Sequence, residues 1–124
     1  MESYLMLGVY MPTDFKTVES CGLVALKGNS VLVIKHSNKW DLPNAYCETG
    51  EQYRETALRS IEKCTGLHKM YFDITRELYN TQHFSSNYSE DILQTTHWFL
   101  AKYVGPLDHV FYPNSNEGIT EVEW

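Results

Sequence analysis

The hydrophobic period of this chain turns helical once, and that single change limits its folds more than any other feature. From Thr49 onward, Tyr53, Ala57, Ile61 and Cys64 recur at i, i+4, i+8 and i+11, which is one apolar stripe along a helix. Thr49 and Gln52 stand at capping-box spacing, and Glu51 in the first turn suits the positive end of the helix dipole. Gly66 sits where a left-handed C-cap glycine belongs. The spacing predicts a helix over residues 50–64. Around it the chain reads as strand. TVESCGLVAL at 17–26 and VLVIK at 31–35 flank the turn cluster Lys27-Gly28-Asn29-Ser30 and predict a hairpin. Trp40-Asp41-Leu42-Pro43 predicts a short strand stopped by proline. Beyond the helix come Tyr71 to Tyr79, a hairpin arm through about Ser85, Thr95 to Val104, and Ile119 to Trp124. Strands, one helix, then more strands predict an α+β or α/β/α domain with a mixed sheet, and exclude alternating βαβ units.

A chain of 124 residues is expected to form one domain, residues 1–124, and to bury about two thirds of the surface its unfolded form exposes. With 43% hydrophobic and 14% aromatic residues it lacks the composition of a disordered chain. The 16 acidic residues outnumber the 10 basic ones, for a net charge of −6, which argues against nucleic acid held through its phosphates. A phosphate ligand bridged by cations is still compatible with that balance. Cys21, Cys47 and Cys64 show no metal-type spacing and suit a reduced, cytoplasmic protein. Met1 to Met11 carries Glu2 and no basic region, so neither a signal peptide nor a membrane partner is expected. Five histidines (His36, His68, His83, His97, His109) show no HxxxH or HxH spacing, and no zinc site is expected.

Residues 40–67 read WDLPNAYCETGEQYRETALRSIEKCTGL, and this segment resembles the Nudix box of the MutT-like hydrolase superfamily. The family pattern is Gly, five residues, Glu, seven residues, then Arg-Glu-apolar-x-Glu-Glu-x-Gly-apolar. Here Ala45 stands at the first glycine, while Glu51, Arg59, Ile61, Gly66 and Leu67 match the pattern. Ser60, Lys63 and Cys64 stand where the family carries three glutamates. Trp40 to Pro43 resembles the family's lead-in, and Thr95 to Leu100 with Glu117 to Trp124 resemble later strands of some bacterial members. The resemblance implies an α/β/α sandwich around a mixed sheet. The last helix that members carry is absent from this sequence, which implies either a shortened chain or closure by a second copy, that is, a homodimer.

The resemblance also implies cleavage of a diphosphate linked to another moiety, with Mg²⁺ or Mn²⁺ neutralising phosphate charge and activating water. Such cations need oxygen ligands. At about 100° per residue, positions 60, 63 and 64 share one arc of the helix, and this chain puts a hydroxyl, an ammonium and a thiol there. Lys63 repels a cation, Cys64 is too soft for magnesium, and Glu62 and Glu55 are turned away. Magnesium or manganese binding is therefore expected to be weak or absent, with Glu51, Glu48 and Glu117 as the ligands if a metal does bind. Glu51 and Arg59 remain from the catalytic box and are expected to pair, with Glu55 the competing i, i+4 partner of Arg59. Lys63 is the candidate contact to a diphosphate, and Trp40, Tyr46 and Phe84 are candidates to stack on a base, with Tyr79 and Tyr88 behind them. Cys64 falls on the apolar stripe and is expected to act as a small buried hydrophobe. The leading expectation is a degenerate member that binds a small nucleotide-like molecule with catalysis impaired or lost. The alternatives are an active pyrophosphohydrolase with non-standard metal ligands and a non-enzymatic dimerisation or ligand-sensing module.

Overall fold

The computed structural model describes residues 15–86 and 90–124. The expectations about Met1 to Met11 and Tyr88 lie outside the described residues. Nine strands are described: β1 (Lys16–Lys27), β2 (Ser30–Val31), β3 (Val33–His36), β4 (Lys39–Asp41), β5 (Asn44–Tyr46), β6 (Phe72–Glu77), β7 (Thr81–Ser86), β8 (Asp91–Tyr103) and β9 (Ile119–Glu123). One α-helix, α1 (Tyr53–Thr65), separates β5 from β6. Strands β2, β1, β8 and β6 lie side by side in that order, with β5 also paired to β1 and β7 to β8. The β1–β8 ladder is parallel from Lys16↔Ile92 to Leu26↔Lys102, and its neighbours are antiparallel, so the sheet is mixed as expected. A smaller antiparallel sheet runs β4–β3–β9. Among the described residues α1 is the helical layer, packed on β1 and β5.

The long central strands follow from alternation. Cys21, Leu23 and Ala25 of β1 and Phe99, Ala101 and Tyr103 of β8 are buried on one face, where Leu23 lies opposite Phe99 and Ala25 opposite Ala101. Each large side chain fully buried there contributes on the order of 1.5–3 kcal/mol. The 17–26/31–35 hairpin is shorter than predicted. Only Leu26↔Val31 and Lys27↔Ser30 pair, after which the chain enters the second sheet. Leu32 and Ile34 are both buried, and satisfying them takes the strand away from β1 and over the core.

Helix α1 starts at Tyr53, later than the predicted position 50, and its capping box is Gln52–Glu55 where Thr49–Gln52 was predicted. The Gln52 N–H donates to Glu55 Oε1 at 2.8 Å, which leaves Thr49 outside the cap. Gly66 ends the helix at φ 79°, and its N–H donates to the Glu62 carbonyl. A Cβ at Gly66 would also lie 2.8 Å from Cβ of Tyr112, so this glycine is required twice over. The buried face is wider than the predicted stripe. Thr56, Ala57, Ser60, Ile61, Cys64 and Thr65 face the core, whereas Tyr53 is 42% exposed. The Tyr53 ring stacks on His97 with centroids 4.0 Å apart, and its hydroxyl donates to Glu19.

Gly22 of β1 lies opposite Trp98 of β8, and the indole covers the place where a side chain would stand. A Cβ there would meet Trp98 Cζ3 and lie 2.6 Å from the Pro43 carbonyl oxygen, so the backbone has no room to give. Gly22→Ala is expected to cost roughly 1–3 kcal/mol as an overpacked site and to shift the tryptophan emission as the indole is displaced. Urea unfolding with fluorescence detection checks both; unchanged midpoint and emission would show that the indole has slack.

Candidate functional site

Glu51 sits in the loop that carries the chain from β5 into α1, and three groups converge on its carboxylate. Arg59, two turns along the helix, donates Nε to Oε2 at 2.7 Å and Nη2 to Oε1 at 2.9 Å. The Thr56 hydroxyl and the Glu48 N–H also donate to Oε1. Arg59 Nη2 bonds the Tyr46 carbonyl at 2.7 Å, and Nη1 lies 3.8 Å from Glu48 Oε2. The expected Glu51–Arg59 pair is therefore formed, in the two-pronged geometry that guanidinium and carboxylate favour. Glu55, the competitor, is committed to the helix cap. The Arg59 guanidinium holds Glu51 at a pKa of about 2, and the carboxylate in turn raises that of Arg59.

Beside this network a cleft of about 710 Å³ opens between the two sheets and the C-terminal half of α1. Lys63, Cys64, Tyr46 and Glu117 line one part of it. Lys63 Nζ lies 3.3 Å from Glu117 Oε1, and both side chains are about two-fifths exposed. Glu117 closes a 3₁₀ turn, Ser115–Glu117, that is fastened to the helix by Asn114 Nδ2 donating to the Lys63 carbonyl at 3.0 Å. Cys64 is buried with Sγ 3.8 Å from the Asn44 carbonyl, and burial pushes its pKa up, which keeps it a thiol. Ser60 is fully buried and donates to the Ala57 carbonyl at 2.6 Å. Positions 60, 63 and 64 thus do not form one open face: the first two turns of the arc belong to the core, and only Lys63 presents its charge to the cleft. Glu62 is turned away as expected and bonds the Lys69 N–H.

These residues do not fit a hard divalent cation. Among the described residues no three His, Cys, Asp or Glu side chains converge. Glu48 and Glu51 are held by Arg59, while Glu117 is held by Lys63. Trp40 does not line the cleft; its ring lies beneath Lys35 Nζ, 5.5 Å away, on the strand that pairs with it. Phe84 is also outside the lining and packs edge-on against Phe15, and Tyr79 is almost fully exposed.

The sequence reasoning missed the cleft's floor. Thr81, His83, Gln94, Thr96 and Trp98 line it from β7 and β8. The Trp98 indole N–H donates to Thr81 Oγ1 at 2.9 Å, and Ser20, Thr96 and Gln94 form a closed hydrogen-bonded row. Strand alternation was the available signal, because Phe99 in the core obliges Trp98 to face the other way.

Solved structures share this architecture. A MutT protein from Methanosarcina mazei Go1 superposes with a TM-score of 0.64 at 15% identity, covering 91% of this chain and 79% of that one. An Ap4A hydrolase from C. elegans in a binary complex gives 0.63 at 19% identity over 86% and 78%, and a MutT NUDIX hydrolase from Burkholderia pseudomallei gives 0.61 at 15% over 88% and 82%. No protein-family model matches the sequence, and no curated protein does. The fold is therefore the Nudix fold, as the resemblance implied. Among the described residues no helix is long and apolar enough to cross a membrane.

Glu51→Gln is expected to destabilise the protein at pH 7 by about 1–3 kcal/mol, the range for hydrogen bonds to a charged partner. The folded pKa of about 2 lies below the ordinary 4.5, so the stabilisation is complete above pH 4.5 and fades as pH falls through 2. Urea midpoints of wild type and variant should converge across that window. A gap that stays constant down to pH 2 would show that the charge is not what matters.

Proposed function

We propose that this Nudix-fold protein binds a nucleotide-like diphosphate in the cleft beside α1 and that its metal-dependent hydrolysis is impaired or lost. The observation that carries the proposal is the Lys63–Glu117 ion pair in the cleft wall, at a helix position where the family resemblance implies a metal-binding glutamate. An ion pair exposed to this degree contributes only about 0–1 kcal/mol, so a more highly charged diphosphate can displace Glu117 at little cost. Lys63 then meets the phosphate as a fixed point charge, the part that a bridging cation plays elsewhere in the fold. Lys39, His36 and His83 also line the cleft and keep its wall from being wholly acidic. The floor of Trp98, Gln94 and Thr96 offers a flat ring and polar groups to the attached moiety. Tyr46, 63% exposed at the rim, can close over the ligand.

The mechanism is one of binding and orientation. Glu51 is saturated by Arg59, Thr56 and the Glu48 N–H, which leaves it no free lone pair aimed at the cleft to activate a water. Its work is to hold the loop that carries Tyr46 and Glu48. Cys64, buried and protonated, offers no nucleophile. The three cysteines are all free, which accords with a reducing, cytoplasmic setting.

Calorimetric titration in EDTA tests this, with nucleoside diphosphates and triphosphates, nucleotide sugars and Ap4A, the last taken from the name of the C. elegans protein. Wild type is expected to bind at least one of these without metal, and Lys63→Glu to bind it roughly tenfold or more weakly, equivalent to about 1.4 kcal/mol. The same panel with Mg²⁺ or Mn²⁺ is expected to show almost no turnover. Equal binding by both proteins, or none by either, would remove the Lys63 contact. Robust turnover abolished by Glu51→Gln would replace the proposal with an active pyrophosphohydrolase using other ligands.

A further inference from the structure

Cys21 and Cys47 lie apart from the Lys63 cleft, on the opposite face of the sheet. Cys21 is in the middle of β1, and Cys47 follows β5 on the same antiparallel ladder, held by its N–H donating to the Glu19 carbonyl at 3.0 Å. Ala45 faces Cys21 directly, and Cys47 is the next residue along on that face, a diagonal neighbour. Their sulfurs are 3.2 Å apart and both are free thiols. A disulfide needs about 2.05 Å, so the two sulfurs must close by about 1 Å.

The two are unequally placed. Cys21 is fully buried, and burial pushes its thiol well above the ordinary range. Cys47 is half-buried and lines a separate surface hollow of about 420 Å³, with Lys16, Glu19, Tyr46 and Ile92 around it. A small molecule in solution therefore reaches Cys47 and not Cys21. Cys64, the third thiol, is on α1 beside Asn44 and is buried without access to either.

We propose that Cys21 and Cys47 form a thiol-modification site, at which hydrogen peroxide entering by the surface hollow oxidises Cys47 and Cys21 then closes an internal disulfide. In the first step the Cys47 thiolate attacks a peroxide oxygen. The O–O bond breaks, an S–O bond forms, and the departing hydroxide takes a proton to leave as water. In the second step the Cys21 sulfur attacks the sulfenic sulfur of Cys47. The S–O bond breaks, the S–S bond forms, and the hydroxide leaves as water with the Cys21 proton. Two thiols lose two electrons in total, and one peroxide is reduced to two waters. A partly accessible sulfur with a resolving thiol beside it is the arrangement that makes such oxidation reversible.

The consequence reaches the loop before α1. Cys47 begins the segment that carries Glu48 and Glu51, the Tyr46 carbonyl holds Arg59, and the Thr56 hydroxyl that bonds Glu51 is within hydrogen-bonding reach of Cys21. Oxidation ties that loop to β1.

Stoichiometric peroxide on the native protein, followed by alkylation of the remaining thiols in denaturant and peptide mapping without reduction, tests the site. The expected product is the Cys21–Cys47 cross-link, with Cys64 alkylated and the change reversed by dithiothreitol. Native Cys64→Ser should give the same cross-link, and Cys21→Ala should leave Cys47 as a sulfenic acid trapped by a dimedone-type reagent. In denaturant the three pairings of the cysteines should form without that preference. Native protein that leaves Cys21 and Cys47 as free thiols, joins Cys64 in place of either, or carries Cys47 over-oxidised with Cys21 untouched would overturn the proposal.

Discussion

The two-pronged ion pair between Glu51 and Arg59 is the interaction on which the rest of the site depends. It joins a loop residue to a helix residue across eight positions of sequence, and through the same guanidinium it also reaches the carbonyl of Tyr46. The end of β5, the start of α1 and the rim of the cleft are therefore fastened at one point. The carboxylate is mostly shielded, with its side chain 16% exposed, so little solvent screens the pair. Losing either partner would leave a charge poorly solvated, which costs more than the pair itself contributes. That asymmetry explains how a site without the family's metal carboxylates still keeps this pair: its task is mechanical, and the geometry of the loop needs it whether or not a reaction follows.

The helix face beside it shows how a metal site can be lost without loss of the fold. Ser60 returns its hydroxyl to its own helix, and Cys64 packs as a small apolar group, so neither leaves a buried polar atom unpaired. Lys63 is the one substitution that alters the cleft's charge, and Glu117 from a distant turn answers it. Two carboxylates competing for a cation have in effect become one carboxylate neutralised by an ammonium. The chain as a whole keeps a net charge of −6, so the local balance in the cleft could not be read from the total.

Much of this was legible in the residues. The period of α1, its C-cap at Gly66 and the Glu51–Arg59 pairing all follow from spacings along one helix, where i, i+4 and i+8 fix direction. Thr49 as a cap was misread because Gln52–Glu55 supplies an equally good reciprocal pair three residues on, and capping rules alone do not rank the two. The hairpin was drawn too long because Leu32 and Ile34 satisfy either sheet, and only the three-dimensional core decides between them. Trp40 and Phe84 were favoured as ring platforms on residue type, yet both are directed elsewhere by the alternation of their strands. Ser60 and Cys64 were rightly placed on one arc, but whether an arc faces a core or a cleft depends on what packs against it.

Strand register ties the hydrophobic core to the chemistry of the cleft. In the parallel β1–β8 pair, Leu23 with Phe99 and Ala25 with Ala101 face the helix, so Ser20 with Thr96 and Gly22 with Trp98 must face the cleft. A slip of one residue would send every one of these side chains to the opposite face. It would expose Phe99, bury Thr96, and drive Trp98 into the space beneath α1. The burial of the apolar row therefore sets the position of the polar row with a stability margin of many kcal/mol, far more than the Ser20–Thr96 and Gln94 hydrogen bonds supply themselves. The cleft floor gets its order from the core behind it, and so its polar residues can change with the ligand while the fold stays the same.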